Sequence, residues 1–161
     1  MTLAPLLSAP FAVQLHAGAA LLAVVIGPLA IHRRRRDRLH RVAGYAWVTA
    51  MAVAALSAFS IEAQVLGIRG YGPIHLLAAL ALVSLAIGVR HARAGQIARH
   101  EAEFRSLYRN ALGIAGLLTL LPGRRINAAL FGENEMAGVA VICAVFLLWL
   151  LRRGLPSRQP G

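Results

Sequence analysis

Residues 11–31, FAVQLHAGAALLAVVIGPLAI, contain no charged side chain and are followed directly by HRRRR at positions 32–36. A helix rises about 1.5 Å per residue, so about 20 apolar residues cross a hydrocarbon layer about 30 Å thick. This segment is therefore long enough to span a membrane. A cleaved signal peptide carries its positive charge before the apolar core, whereas here the charge follows it, which predicts a retained anchor.

Four further apolar stretches follow along the chain. They cover residues 42–61, 72–89, 104–121 and 136–151. The third of these has Arg105 and Arg109 in its first turns, where long side chains can reach the membrane interface. Five spans of this length occupy about two thirds of the chain. We therefore expect an all-α integral membrane bundle that forms a single domain over residues 1–161, with residues 122–135 as an outer loop lying at the membrane surface.

The composition agrees with a membrane protein, because 58% of the 161 residues are hydrophobic and 14% are charged. The net charge of +11, from 17 arginines and 6 acidic residues, would by itself suggest a nucleic-acid partner. Short arginine-rich loops, however, stay on the cytoplasmic side of a membrane. Three arginines, Arg69, Arg124 and Arg125, fall on one side of the five expected spans and fourteen on the other. The fourteen are Arg33, Arg34, Arg35, Arg36, Arg38, Arg41, Arg90, Arg93, Arg99, Arg105, Arg109, Arg152, Arg153 and Arg158.

This distribution of arginines predicts the orientation of the chain in the membrane and argues against a nucleic-acid partner. The N-terminus is expected outside and the C-terminus in the cytoplasm, in a bacterial inner membrane. The arginine run at positions 33–36 is interpreted as an anchor for lipid headgroups. The lipid bilayer is thus the partner that the charge pattern indicates.

Small residues recur at every fourth position in the first two spans. They are Ala19, Ala23 and Gly27 in the first span, and Ala50, Ala54 and Ala58 in the second. Helices in lipid pack by close approach of their backbones, so these faces are expected to be helix contacts. Trp47, Tyr71 and Trp149 are interpreted as belt residues at the membrane interfaces.

Two histidines are the strongest candidates for chemistry. His16 lies about five residues into the first span and His75 about three residues into the third, so both are expected in the outer leaflet. Two imidazoles at equal depth on facing helices suit the axial ligands of haem b, or hydrogen bonds to a quinone. Ala23 and Gly27 share the face of His16 and would leave room for a flat group. The alternative is that each histidine bonds a backbone carbonyl, a hydroxyl of a neighbouring helix or interfacial water.

The remaining histidines are expected at the inner interface. They are His32, His40, His91 and His100. His40, His91 and His100 are the inner-face candidates for a second ligand site, although interfacial positions explain them more simply. Cys143 is the one cysteine, which excludes an internal disulfide or a paired-cysteine metal motif.

No catalytic motif accompanies these histidines. The sequence has no metalloprotease, phosphate-loop, nucleophile-elbow or dinucleotide signature, and no acidic residue within the spans. Two classes of function follow. The first is a non-catalytic accessory protein or subunit of a membrane assembly, with a membrane-protein partner or a second copy of itself. The second is a small redox protein that holds haem b or quinone through His16 and His75. A transporter with a re-entrant segment at residues 126–131 is a further alternative.

Several short motifs in a fixed order resemble one known family. They are His16 with Gly27-Pro28, then His40-Arg41-x-x-Gly44-Tyr45-x-Trp47-Val48, Gly72-Pro73-Ile74-His75-Leu76-Leu77, His91-Ala92-Arg93-x-Gly95 with His100, and Leu120-Leu121-Pro122-Gly123-Arg124. Over about residues 10–132 the chain resembles the bacterial membrane proteins catalogued as domain of unknown function 2306. It departs from their pattern after His100, where Glu101 and Ala102 replace two arginines. The resemblance implies a compact multi-helix inner-membrane fold and no established reaction.

Overall fold

A computed structural model describes residues 2–33, 35–62 and 68–154 of the chain, which are helical over most of their length. The helices are α1 (Ala4–Leu7), α2 (Phe11–His32), α3 (Arg38–Ala58), α4 (Pro73–Arg93), α5 (Ile97–Leu107), a π-helical segment (Tyr108–Leu112), α6 (Gly113–Leu118), α7 (Arg125–Phe131) and α8 (Met136–Gly154). Within these ranges the only β pairing is an isolated bridge between Ile68 and Tyr71. The prediction of an all-α fold is confirmed for this part of the chain. Arg34 and Arg158 lie outside the described residues, as do the side chains of Arg152 and Arg153.

Three helices, α2, α3 and α4, are long and apolar enough to cross a membrane. They correspond to the first three predicted spans. A fourth candidate is the consecutive pair α7 and α8, whose axes are bent by 98° at the break between them. The chain is therefore a helical membrane protein with three or four candidate spans in its described part.

The second span lies three to four residues earlier than the apolar count predicts. Its helix, α3, begins at Arg38 rather than at residue 42, because the Asp37 side chain caps it by accepting a hydrogen bond from the His40 N–H at 3.0 Å. It ends at Ala58, where the N–H groups of Phe59 and Ser60 bond three residues back. A search for uncharged residues alone misses a start set by a capping carboxylate.

The predicted fourth span differs most from the structure. The sequence suggests a helix over residues 104–121, whereas helical structure begins at Ile97 and passes through the π segment before α6 ends at Leu118. The early start arises because α5 is amphipathic. Its Phe104 and Leu107 are buried, while Glu101 and Arg105 on its other side are exposed.

Residues 9–115 form one compact unit in which α2 packs on α3, α3 on α4, and α4 on α5. The helices meet through small side chains. The buried small residues include Ala23, Gly27 and Ala30 on α2, Ala43, Ala50, Ala54 and Ala58 on α3, and Ala78, Ala81 and Gly88 on α4. The small-residue faces predicted as helix contacts are thus largely buried within this unit.

A second unit contains, of the described residues, 2–8 and 116–154. In it α1 lies on α7, and the Thr2 N–H donates to the Ala129 carbonyl at 3.0 Å. The predicted outer loop at residues 122–135 contains α7. Asn127 of this helix is fully buried and donates from Nδ2 to the Glu135 carbonyl at 2.9 Å. The segment predicted as a loop is therefore partly helical.

Candidate functional site

His75 is held at the start of α4 by hydrogen bonds on both sides of its ring. The Gly72 N–H donates to Nδ1 at 3.1 Å, and Nε2 lies 3.0 Å from the Ile61 carbonyl oxygen. Because Nδ1 accepts, the ring proton belongs on Nε2, which donates to Ile61. The side chain is only 5% exposed, and the Phe59 and Tyr71 rings flank it at centroid distances of 5.9 and 5.0 Å. His75 thus joins the start of α4 to the chain just beyond α3.

His16 makes a comparable contact from α2. Its Nδ1 lies 2.8 Å from the Ala54 carbonyl oxygen in the last turns of α3, so Nδ1 carries the proton and donates. Ser57 is next to it, with its hydroxyl donating to the Val53 carbonyl at 2.7 Å. Nε2 of His16 is then an acceptor, and it has no hydrogen-bond partner among the described residues. The structure brings His16 and His75 to the same, C-terminal end of α3.

The hydrogen bonds of the two imidazole rings do not fit a haem that is held by both histidines. An axial imidazole needs a free nitrogen lone pair to bind iron. In His75 the Nδ1 lone pair accepts from Gly72 and Nε2 carries a proton, so ligation would break one of two backbone hydrogen bonds. Each imidazole instead donates a hydrogen bond to a backbone carbonyl of another segment, which is the alternative that the sequence left open.

The face of α2 at Gly27 is covered by a side chain of the protein. A Cβ atom added at Gly27 would collide with Cε2 and Cδ2 of Tyr108, whose ring lies against the helix there. The Tyr108 hydroxyl donates to the Val24 carbonyl at 3.2 Å. Of the α2 face that was expected to leave room for a flat group beside His16, the part at Gly27 is therefore covered by an aromatic ring from the π segment.

The three inner-face candidates lie on three different helices, His40 on α3, His91 on α4 and His100 on α5. His91 Nδ1 lies 2.8 Å from Gln96 Oε1, and His100 Nδ1 lies 3.0 Å from the Gly88 carbonyl oxygen. His40 Nδ1 is buried without a hydrogen-bond partner in the part of the chain that the structure describes. Across that same part, no group of three or more His, Cys, Asp or Glu side chains is arranged to hold a metal ion.

The burial of Trp47 contradicts its interpretation as an interfacial belt residue. Its exposed fraction is 0%, and its ring lies 5.2 Å from the Phe104 centroid and 6.5 Å from that of Tyr108. The signal that could have placed it is helical spacing, since Ala43 and Ala50 lie four residues before and three after it on the same face of α3. Trp47 is thus the central side chain of the helix packing.

Charged groups at the end where α2 stops and α3 begins form two ion pairs. Arg33 pairs with Asp37, and Arg36 Nη2 lies 3.1 Å from Glu101 Oε1. Hydrogen bonds from the Arg33 guanidinium and the His40 N–H hold the pKa of Asp37 well below its usual range, and the same pairing raises the pKa of Arg33. Beside these pairs is an open cavity of about 300 Å³. Its lining residues are Ile31, His32, Arg33, Glu101 and Arg105.

The comparison with known families gives a match over most of the chain. The profile of the family described as "Predicted membrane protein (DUF2306)" matches residues 13–152. The chain belongs to this family. The resemblance inferred from the motifs is thereby confirmed, and the match extends beyond residue 132. No curated protein and no solved structure matches this DUF2306 protein.

The motifs that carry the resemblance lie at helix ends and in the packed core of this DUF2306 protein. Gly72 and His75 cap the start of α4, and Trp47 fills the centre of the packing. Gly95 follows the last residues of α4 with a φ of +69°, which side chains other than glycine rarely adopt. These positions therefore stabilise the fold.

Proposed function

We propose that this protein is a non-catalytic subunit or accessory protein of an assembly in the bacterial inner membrane. The observation that carries the proposal is the use of the candidate histidines in backbone contacts. Nε2 of His75 and Nδ1 of His16 are bonded to main-chain carbonyls of other segments, and Nδ1 of His75 accepts from the N–H of Gly72 at the start of its own helix. The apolar stretches of α2, α3 and α4 also contain no Asp or Glu, which a proton or cation pathway in a membrane would use.

The partner-binding element in this proposal is α8. The seven consecutive residues from Val145 to Leu151 are all exposed and apolar, and they cover almost two turns, so they point in every direction around the helix. The Phe146 and Trp149 rings are stacked with centroids 5.7 Å apart. Within a membrane such a helix is covered on all sides by lipid or by protein. We propose that a membrane-protein partner, or a second copy of this chain, covers one side of it.

Photo-crosslinking in native membranes tests this role. p-Benzoylphenylalanine is placed at Leu147 or Leu148 on α8, and at Val25 on α2 as an exposed control. We expect a discrete adduct of protein mass from an α8 position and none from Val25. Adducts of lipid mass alone at every α8 position would remove the reason to propose a partner at this helix.

The orientation and the five-span arrangement are part of the same proposal. The arginine distribution supports an outer N-terminus and a cytoplasmic C-terminus. Spans near residues 104–121 and 136–151 would complete the five. A phosphatase fused after Arg153 should be inactive and a fluorescent protein fused there should be bright. Active phosphatase at that point would reverse the orientation.

The redox alternative retains one favourable observation, which is the acceptor nitrogen of His16. With Nδ1 bonded to Ala54, the Nε2 lone pair of His16 is available to a haem iron or to the hydroxyl of a quinol. The visible spectrum of the purified protein from haem-replete cells, oxidised and reduced, separates the two functions. We expect no Soret band. A Soret band that is lost in His16→Ala but retained in His91→Ala would replace the subunit proposal with the redox one.

A further inference from the structure

The cavity at the arginine-rich end of the first unit has the position and size of a small ligand site. It lies between the last residues of α2, Ile31 and His32, and two residues of α5, Glu101 in its middle and Arg105 in its last turn, with Arg33 beside them. Its volume of about 300 Å³ is at the lower end of the range for ligand pockets, about 300–1,000 Å³. Neither the histidine contacts nor the proposed partner helix uses this cavity.

One guanidinium in the cavity wall has no partner among the described residues. Arg33 is paired with Asp37, and the carboxylate of Glu101 is paired with Arg36. Arg105 forms no hydrogen bond or ion pair with any described residue. The planar, five-donor guanidinium matches the oxygens of a phosphate group, which it binds in bidentate fashion.

The surrounding charge favours an anion. The helices α2 and α4 end here and α3 and α5 begin here, which brings together nine described arginines and three carboxylates. The arginines are Arg33, Arg35, Arg36, Arg38, Arg41, Arg90, Arg93, Arg99 and Arg105, and the carboxylates are Asp37, Glu101 and Glu103. The C-terminal carbonyls of α2 oppose an anion, but with about half an elementary charge, which is less than one arginine supplies.

The same face of α2 offers a path for an acyl chain. Leu29 and Val25 lie four and eight residues before Arg33, so they are one and two turns above it on the same helical face. Both are exposed, at 43% and 68%. A phospholipid whose phosphate enters the cavity would lay its acyl chain on these side chains.

We propose that this cavity binds the phosphate group of an anionic ligand, with Arg105 as the main contact. The phosphate is carried by a phospholipid headgroup or is free in solution, and the chemistry at Arg105 is the same for both. The site is independent of the proposed subunit role, because binding to one chain needs no partner protein.

Native mass spectrometry of the detergent-purified full-length protein tests the site. Phosphatidylglycerol is the anionic probe, phosphatidylcholine the zwitterionic control, and inorganic phosphate the soluble competitor. We expect one phosphatidylglycerol per chain to bind with the highest affinity, and phosphatidylcholine to bind at least about tenfold more weakly. Equal affinity for the two lipids would overturn the proposal.

Matched variants distinguish binding at the cavity from general attraction of the lipid by the positive charge at this end of the unit. Arg105→Gln should weaken phosphatidylglycerol binding about tenfold, Arg105→Lys should restore part of it, and Arg93→Gln should change it less than about twofold. Arg93 is exposed at the same end but does not line the cavity. Equal weakening by Arg105→Gln and Arg93→Gln would show attraction by net charge alone and contradict the site.

The source of the phosphate is decided by a second comparison. Leu29→Gln should weaken the lipid but not inorganic phosphate if the acyl chain follows α2. Displacement of the lipid by millimolar inorganic phosphate, with no effect of Leu29→Gln, would assign the cavity to free phosphate. An unfolding midpoint for Arg105→Gln close to that of the unsubstituted protein ensures that lost binding is not lost folding.

Discussion

Replacing Gly88 by alanine should destabilise the first unit by forcing an aromatic ring out of place. A Cβ atom at Gly88 would collide with Cε1 and Cδ1 of Phe104 and lie 2.9 Å from its Cζ. The ring cannot move freely, because Trp47 and His100 enclose it at centroid distances of 5.2 and 4.6 Å. Overpacking of this kind costs about 1–3 kcal/mol in free energy of unfolding.

Gly44→Ala is the matched control for this change. Both glycines lie inside helices, so both variants gain about 1 kcal/mol at most from the better helix propensity of alanine. A Cβ atom at Gly44, however, has nothing within 4 Å. The helix term cancels in the comparison, and Gly88→Ala should be less stable than Gly44→Ala by about 1–3 kcal/mol.

Reversible unfolding by SDS in mixed micelles measures this difference, and the fluorescence of Trp47, 5.2 Å from Phe104, reports it. Coupling gives a second measurement, since Phe104→Leu should destabilise less in the Gly88→Ala background than in the unsubstituted protein. If Gly88→Ala and Gly44→Ala unfold at the same SDS fraction, the packing of Phe104 on α4 is not as described.

Three further predictions concern the core, the histidine caps and the acid stability of the chain. Trp47→Ala should lower the free energy of unfolding by about 3–5 kcal/mol, measured by circular dichroism in an SDS titration, because it empties the fully buried centre of the unit. In ¹⁵N-histidine NMR spectra His75 should show a protonated Nε2 and an accepting Nδ1, and the opposite tautomer would contradict its bond from Gly72. Asp37, whose pKa is depressed, stabilises the fold above its ordinary value of 3.8 and less as the pH falls below that value. Asp37→Ala should therefore be less stable at neutral pH and lose less stability on acidification, and parallel stability curves would count against this role.

The membrane class and three of the spans follow from the sequence alone. Apolar length is a local property, and an uncharged run such as residues 11–31 predicts a spanning helix wherever its neighbours lie. The helix boundaries are less local. The start of α5 at Ile97 lies among charged residues, and Glu101 finds its partner in Arg36, 65 residues away in the chain. Counting apolar residues along the sequence therefore does not predict where α5 begins.

For the two histidines, too, the sequence predicts one property and the tertiary structure decides another. Sequence position alone places His16 and His75 near the ends of their helices, because depth follows from residue number at a fixed rise per residue. Their partner atoms come from tertiary structure, since the Ala54 carbonyl lies 38 residues from His16 and the Ile61 carbonyl 14 residues from His75. The burial of Trp47 likewise depends on tertiary contacts, those with Phe104 and Tyr108. Composition and periodicity determined that this protein is a membrane helical bundle. Only the packing register of α2, α3, α4 and α5 decided which polar atoms meet, because that register depends on side chains far apart in the chain.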